Sequence, residues 1–367
     1  MPQGIEVLLS SDAAHAVIRW GIRFFCALTL LQIIVLIIQK IVLERLIARR
    51  SKLKEQYVHM LKAAASSPTA LVNSPSKRVE YEAFADAVVD VQTSLTPRQG
   101  EAVRQVIRQL DIPLFFVSTY SSSRSWVKKY RAVEWLGFMK LPELRDFYRK
   151  ALDAKGENSY VTAKLIWSLS LIAQEEDVPL LAQRLATPGF MSAKFCEYVF
   201  CNIINAFKDR SDITTLIYSL EHLFSAEEVP LLLKRDIVQA CGITSLKEAE
   251  GLIMTMLKTY GKAPEMRIAG IRALQGAGGR LLDQVVAAGL RDKDWRVRVA
   301  AAKDTSKCSS AVIALLAEVL GDENYHVRLN AAASLAAAGS DGIAILREKS
   351  LSSDRFIRDI SKYMLAA

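Results

Sequence analysis

The chain has 367 residues, five cysteines, four histidines and a net charge of +9. That length suits two or three ordinary domains or one long repeat array. The odd cysteine count (Cys26, Cys196, Cys201, Cys241 and Cys308), without a C-x-x-C, argues against a disulfide framework and for buried thiols in a reducing compartment; the histidines His15, His59, His222 and His326 form no zinc-site spacing.

The first element is an apolar helix. No charge falls between Phe24 and Ile38, and from Trp20 to Leu43 only Arg23 and Lys40 interrupt the apolar run. A stretch of ~20 apolar residues spans the hydrocarbon core of a bilayer. Arg23 and Lys40 are placed to snorkel to opposite interfaces, and Trp20 suits a headgroup position. No A-x-A-like cleavage site follows, which argues against a signal peptide. Residues 1–43 are therefore expected to form a short N-terminus and a single transmembrane helix. Seven basic residues against two acidic ones lie at positions 40–62, so the chain after residue 44 is expected on the cytoplasmic side. Arg45, Arg49, Arg50, Lys52 and Lys54 are expected to contact anionic lipid.

Residues 44–76 read as a basic juxtamembrane helix followed by a Ser/Pro-rich linker at 66–76. Residues 77–125 hold lead-in helices. One carries Val79, Phe84, Val88 and Val91 at helical spacing; the next starts at Thr96 with Gln99 in capping-box position. Pro113 is expected to break the chain. The run 112–120 (IPLFFVSTY) has strand-like composition but no pairing partner, and is expected to be an apolar connection under the first repeat.

From residue 126 two helix types alternate. The first type is expected at 127–139, 160–172, 193–207, 231–240, 265–274, 296–304, 326–337 and 355–365. The second is expected at 143–152, 178–185, 213–223, 247–260, 281–290, 311–320 and 342–349. Glycines and prolines, including Gly137, Gly242, Gly276 and Gly278-Gly279, are expected to break the chain between partners. The last copies are the most regular. Val297, Val327 and Ile357 recur every 30 residues, and Arg298, Arg328 and Arg358 keep the same interval. A fixed period in that range marks a solenoid, in which each helix pair buries its second face only against a neighbour. Asp294 and Asp354 are placed to cap helix N-termini. Asp292 and Asp322 precede Arg298 and Arg328 by six residues; with Asp354 and Arg358 they suggest a structural Asp–Arg ladder from repeat to repeat.

The pattern of Asp292-Lys293-Asp294-Trp295-Arg296-Val297-Arg298-Val299-Ala300-Ala301 resembles HEAT repeats of the PBS-lyase-like type. The likeness is good over 265–365, weaker over 126–260 and absent before 120. It implies an all-α fold, an α-solenoid over 126–367 behind a single transmembrane helix. It also implies scaffold work; some relatives bind nucleic acid, and one branch attaches or detaches bilins on phycobiliproteins. A membrane helix followed by a HEAT array is similar to proteins that accompany bacterial exopolysaccharide glycosyltransferases.

The sequence holds no P-loop, G-x-S-x-G, H-E-x-x-H or EF-hand loop. The expectation is a non-catalytic scaffold of the inner membrane, with no catalytic residue, metal or cofactor. It would dock a membrane-associated protein, as in an accessory subunit for envelope polysaccharide synthesis or export. A bilin lyase-like enzyme is the alternative, disfavoured by the anchor. Nucleic-acid binding is the other, disfavoured because residues 40–62 hold at least five units of the +9 charge.

Overall fold

The structure, a computed structural model, describes residues 12–66, 72–92, 94–154, 156–187 and 192–366. The expected short N-terminus and part of the 66–76 linker lie outside the described residues. Among the described residues there are nineteen α-helices and no strand. By contacts the chain divides into two units, Met1–Phe115 and Phe116–Ala367.

The first unit is built on α1 (Asp12–Ser66), 55 residues without a break and so roughly 80 Å long. Every side chain from Ile22 to Arg49 is exposed. Beyond that point the helix becomes two-faced: Tyr57, Leu61 and Ala64 are buried, at the spacing of one helical stripe. They pack with α2 (Arg78–Gln92), whose Phe84, Val88 and Val91 are no more than 1% exposed. The Tyr57 and Phe84 rings meet edge to face at 5.2 Å. In α3 (Pro97–Gln109) the capping box forms: Gln99 N–H donates to Thr96 Oγ1, and Thr96 N–H donates to Gln99 Oε1.

Residues 112–122 correct an expectation. They form a helix, α4 (Ile112–Ser122), not an irregular connection. Asp111, at φ 50°, makes the sharp turn; Pro113 falls in the first helical turn, where no N–H is needed. Ile112, Phe116 and Tyr120 are buried at a four-residue interval, a helical period hidden by strand-like composition. The division of the chain falls inside α4: Phe115 stacks on Tyr81 in the first unit, and Phe116 packs on Trp135 in the second.

The second unit is a one-dimensional array. Its first-type helices are α5 (Trp126–Met139), α7 (Ser159–Ser170), α9 (Ala193–Asp209), α11 (Leu231–Ile243), α13 (Pro264–Ala277), α15 (Trp295–Ala302), α17 (Tyr325–Ala337) and α19 (Arg355–Ala366). Between them lie α6 (Arg145–Asp153), α8 (Asp177–Leu185), α10 (Ile213–Ser225), α12 (Glu250–Tyr260), α14 (Leu282–Leu290), α16 (Ser310–Val319) and α18 (Ser340–Lys349). Each first-type helix packs on the next of its kind. Leu136, Leu165, Ile203, Val238, Leu274 and Leu335 form the continuous core, all 0% exposed. Full burial of such a side chain stabilises by about 1.5–3 kcal/mol.

Gly137, Gly242 and Gly276 do not separate partners; they lie inside first-type helices at close contacts. A Cβ on Gly276 would stand 2.4 Å from the Gly242 carbonyl oxygen, so α11 and α13 approach nearly backbone to backbone. Gly278 and Gly279, at φ 79° and 139°, make the expected turn.

Candidate interaction surface

The ladder runs along one line of the array, with a pairing different from that read in the sequence. Arg298 donates to the carboxylate of Asp322, not Asp292, through Nε at 2.6 Å and Nη2 at 3.0 Å. Arg267 holds Asp292 the same way at 2.7 and 2.9 Å. Each arginine thus reaches forward to the acid that precedes the next first-type helix. Its remaining nitrogen, Nη1, reaches back: in Arg298 it donates to the carbonyls of Asp292 and Lys293. Arg267 already occupies the Asp292 carboxylate, so Arg298 takes the acid that the next repeat presents.

The acids have a second duty. Asp292 Oδ1 accepts from Asp294 N–H, and Asp322 Oδ1 from Asn324 N–H. Burial raises the Asp292 pKa, but the Arg267 hydrogen bonds outweigh it and hold the carboxyl below the usual range. The Arg298 guanidinium is raised, chiefly by its bond to Asp322. The N-caps form as expected. Asp294 accepts from Arg296 N–H, and Asp354 accepts from Phe356 and Ile357 N–H. Asp354 is therefore a cap and not a rung. Arg358 turns back to the carbonyls of Ser352 and Ser353 and lies 3.6 Å from Asp359.

Earlier repeats vary the rung chemistry. Lys129 donates to Glu157 at 2.8 Å, and Tyr120 Oη donates to the same carboxylate. Burial raises Glu157, but the Lys129 and Tyr120 bonds prevail and lower it. Lys234, 3% exposed, donates to Tyr260 Oη and the Ala226 carbonyl instead of an acid. Sequence reading missed a third arrangement: Asp177 is fully buried, with Arg145 on one oxygen at 2.6 Å and Arg149 on the other at 2.9 Å. Its signal was the 32-residue spacing between Arg145 and Asp177, close to one repeat.

Exposed aromatic residues stand at the starts of first-type helices. Trp126 stacks on Tyr160 at 5.6 Å, and Trp295 on His326 at 6.2 Å. Tyr325 and Phe356 are about half exposed. A groove of about 360 Å³ crosses four first-type helices, lined by residues such as Gln239, Arg272, Gln275 and Lys303. Burial pushes the Cys196 and Cys201 thiols up to about 11 and those of Cys241 and Cys308 up to about 12, away from the thiolate form. Among the described residues no group of three His, Cys, Asp or Glu side chains could hold a metal ion.

In the first unit, α1 is the one described helix long and apolar enough to cross a membrane, with a mean hydropathy of 2.4 in its most apolar window. Trp20, Phe24 and Ile38 are exposed on it; Arg23 lies over the Trp20 ring, and Lys40 pairs with Glu44 one turn on. Two of the five expected lipid contacts are already engaged. Arg50 pairs with Glu82 and Asp86 on α2 at 2.8 and 2.7 Å, and Lys54 pairs with Asp90 at 2.6 Å. The acids at 82, 86 and 90 share one face of α2 and bring this about. Arg45, Arg49 and Lys52 are exposed.

Residues 282–366 match the family model for HEAT repeats. No curated protein matches the chain. Among solved structures it is similar to human deoxyhypusine hydroxylase in complex with glycerol, at 16% identity over 86% of this chain and 97% of that one, with a TM-score of 0.29. It is also similar to an engineered protein, at 15% identity over 87% and 97% of the two chains, with a TM-score of 0.34. At those scores neither structure bears on this chain's site or function.

Proposed function

We propose that the protein is a non-catalytic, membrane-tethered scaffold whose HEAT array docks a protein partner. The observation that carries this reading is α1. One unbroken helix passes from a segment exposed on every side into a segment packed against α2. An all-apolar surface suits lipid, and the packed half suits water, so the helix joins the two media. In this reading the apolar half crosses the inner membrane once, and the charges of Arg45, Arg49 and Lys52 favour a cytoplasmic position for the remainder, against the anionic leaflet. Tethering holds the array in a thin layer beside the bilayer, where a weak interface gains from effective concentration. The partner is membrane-associated, and an envelope polysaccharide synthesis or export system is where it is to be sought.

The test is an anchor exchange. Replacing residues 17–43 by an unrelated single-span helix of the same orientation should preserve function, and a reporter active only in the cytoplasm should be active at Ala367. A soluble form should bind the partner in vitro yet fail in cells at native abundance. It must begin near residue 48 and not at 77, because a later start would strip Tyr57, Leu61 and Ala64 from α2. Full function from the soluble form at native abundance would sink the tether.

A further inference from the structure

We propose that Arg328 forms a carboxylate-binding slot that captures an acidic side chain of the docked protein partner; this rests on the scaffold reading above. Arg328 repeats the first half of the rung geometry, with Nη1 donating to the carbonyls of Asp322 at 2.7 Å and Glu323 at 3.1 Å. The second half lacks its acid. Thirty residues after Asp322 the chain has Ser352. Ser352 Oγ keeps the capping duty, accepting from Asp354 N–H at 3.1 Å, but it supplies no charge to the guanidinium. Among the described residues no carboxylate pairs with Arg328, although the residue is only 8% exposed. A cation so far withdrawn from water without a counter-charge is costly, and an incoming carboxylate relieves that cost.

The surroundings define what fits. Phe356 lies over the guanidinium at 4.5 Å and Tyr325 at 5.8 Å. Nη1 is spent on the two carbonyls, which leaves the Nε and Nη2 edge of the group for a ligand. Nε and Nη2 on that edge are the pair that grips Asp292 and Asp322 in the preceding rungs. An edge of this kind selects a planar carboxylate held by two parallel bonds. Phe356 and Tyr325, 56% and 51% exposed, supply apolar contact for the residues beside the acid. The occupant is thus a short acidic and apolar segment of a protein.

The experiment uses the full chain in detergent and a fluorescent peptide of alternating glutamate and leucine, with the glutamine–leucine peptide as control. The acidic peptide should bind and the control should not. Ser352→Asp fills the slot from within: it should raise Tm by about 2–4 °C and weaken peptide binding at least tenfold. Arg328→Lys, which keeps the charge but loses the fork, should weaken binding by a similar factor. Failure of the acidic peptide to bind, binding unchanged in Ser352→Asp, no rise in Tm in that variant, or equal displacement by inorganic phosphate and acetate overturns the proposal. Capture of a membrane partner that is equal in wild type and Ser352→Asp removes the slot but keeps the scaffold; loss of capture from wild type removes both.

Discussion

In the early repeats Asp177 is completely buried between two arginines, whereas in the late repeats Asp292 and Asp322 lie near the surface, 13% and 10% exposed, each gripped by one. The cores differ in the same sense. Early helices fill space with Tyr148, Phe200 and Phe207, while late helices meet through Ala300, Ala301, Ala331 and Ala332. Large side chains interlock in one way only, so each early interface is individual and uses whatever ion pair its shape permits. Small side chains let helices approach uniformly, so one rung geometry repeats.

The sharpest way to break this comparison is Asp177→Ala. It leaves Arg149 and the Gln174 N–H without their carboxylate and Arg145 with Glu176 alone, and should cost about 3–4 kcal/mol, measured by urea unfolding of the full chain in detergent. A cost under about 1 kcal/mol would mean that the buried cluster is not what holds the early repeats. Arg298→Ala should cost less, about 2–3 kcal/mol, because solvent reaches the stranded Asp322. Lys129→Met should cost about 1 kcal/mol, since Glu157 keeps Tyr120 Oη and the Asn158 N–H. If Lys129→Met proves costlier than Arg298→Ala, the early rung is the stronger one and the comparison reverses.

Acid response refines the late half further. The folded-state pKa of Asp292 is depressed, so its stabilisation is present above the unfolded value near 4 and is lost as pH falls through the folded value. Asp292→Asn should therefore flatten the decline in stability as pH falls below about 4. An unchanged slope would show that the Arg267 rung does not tune this acid.

Period and polarity alone determined a good deal. The 30-residue recurrence of Val297, Val327 and Ile357 located the late helices because packing in a repeat array calls for similar apolar residues at equal steps. The caps at Thr96, Asp294 and Asp354 were legible because a cap is settled within a few residues of chain. The apolar half of α1 was legible from composition alone. What needed the tertiary structure was every pairing across repeats. The six-residue spacing suggested Asp292 with Arg298, but Arg267 of the preceding helix occupies that carboxylate, and the next repeat supplies Asp322. Arg50 and Lys54 read as contacts to anionic lipid until α2 brought Glu82, Asp86 and Asp90 alongside. Residues 112–120 read as an isolated apolar run until packing showed Ile112, Phe116 and Tyr120 on one helical stripe. Ser352 shows the same limit: its letter is an ordinary serine, and only the rung geometry of its neighbours reveals that it stands where Arg328 would otherwise meet an acid.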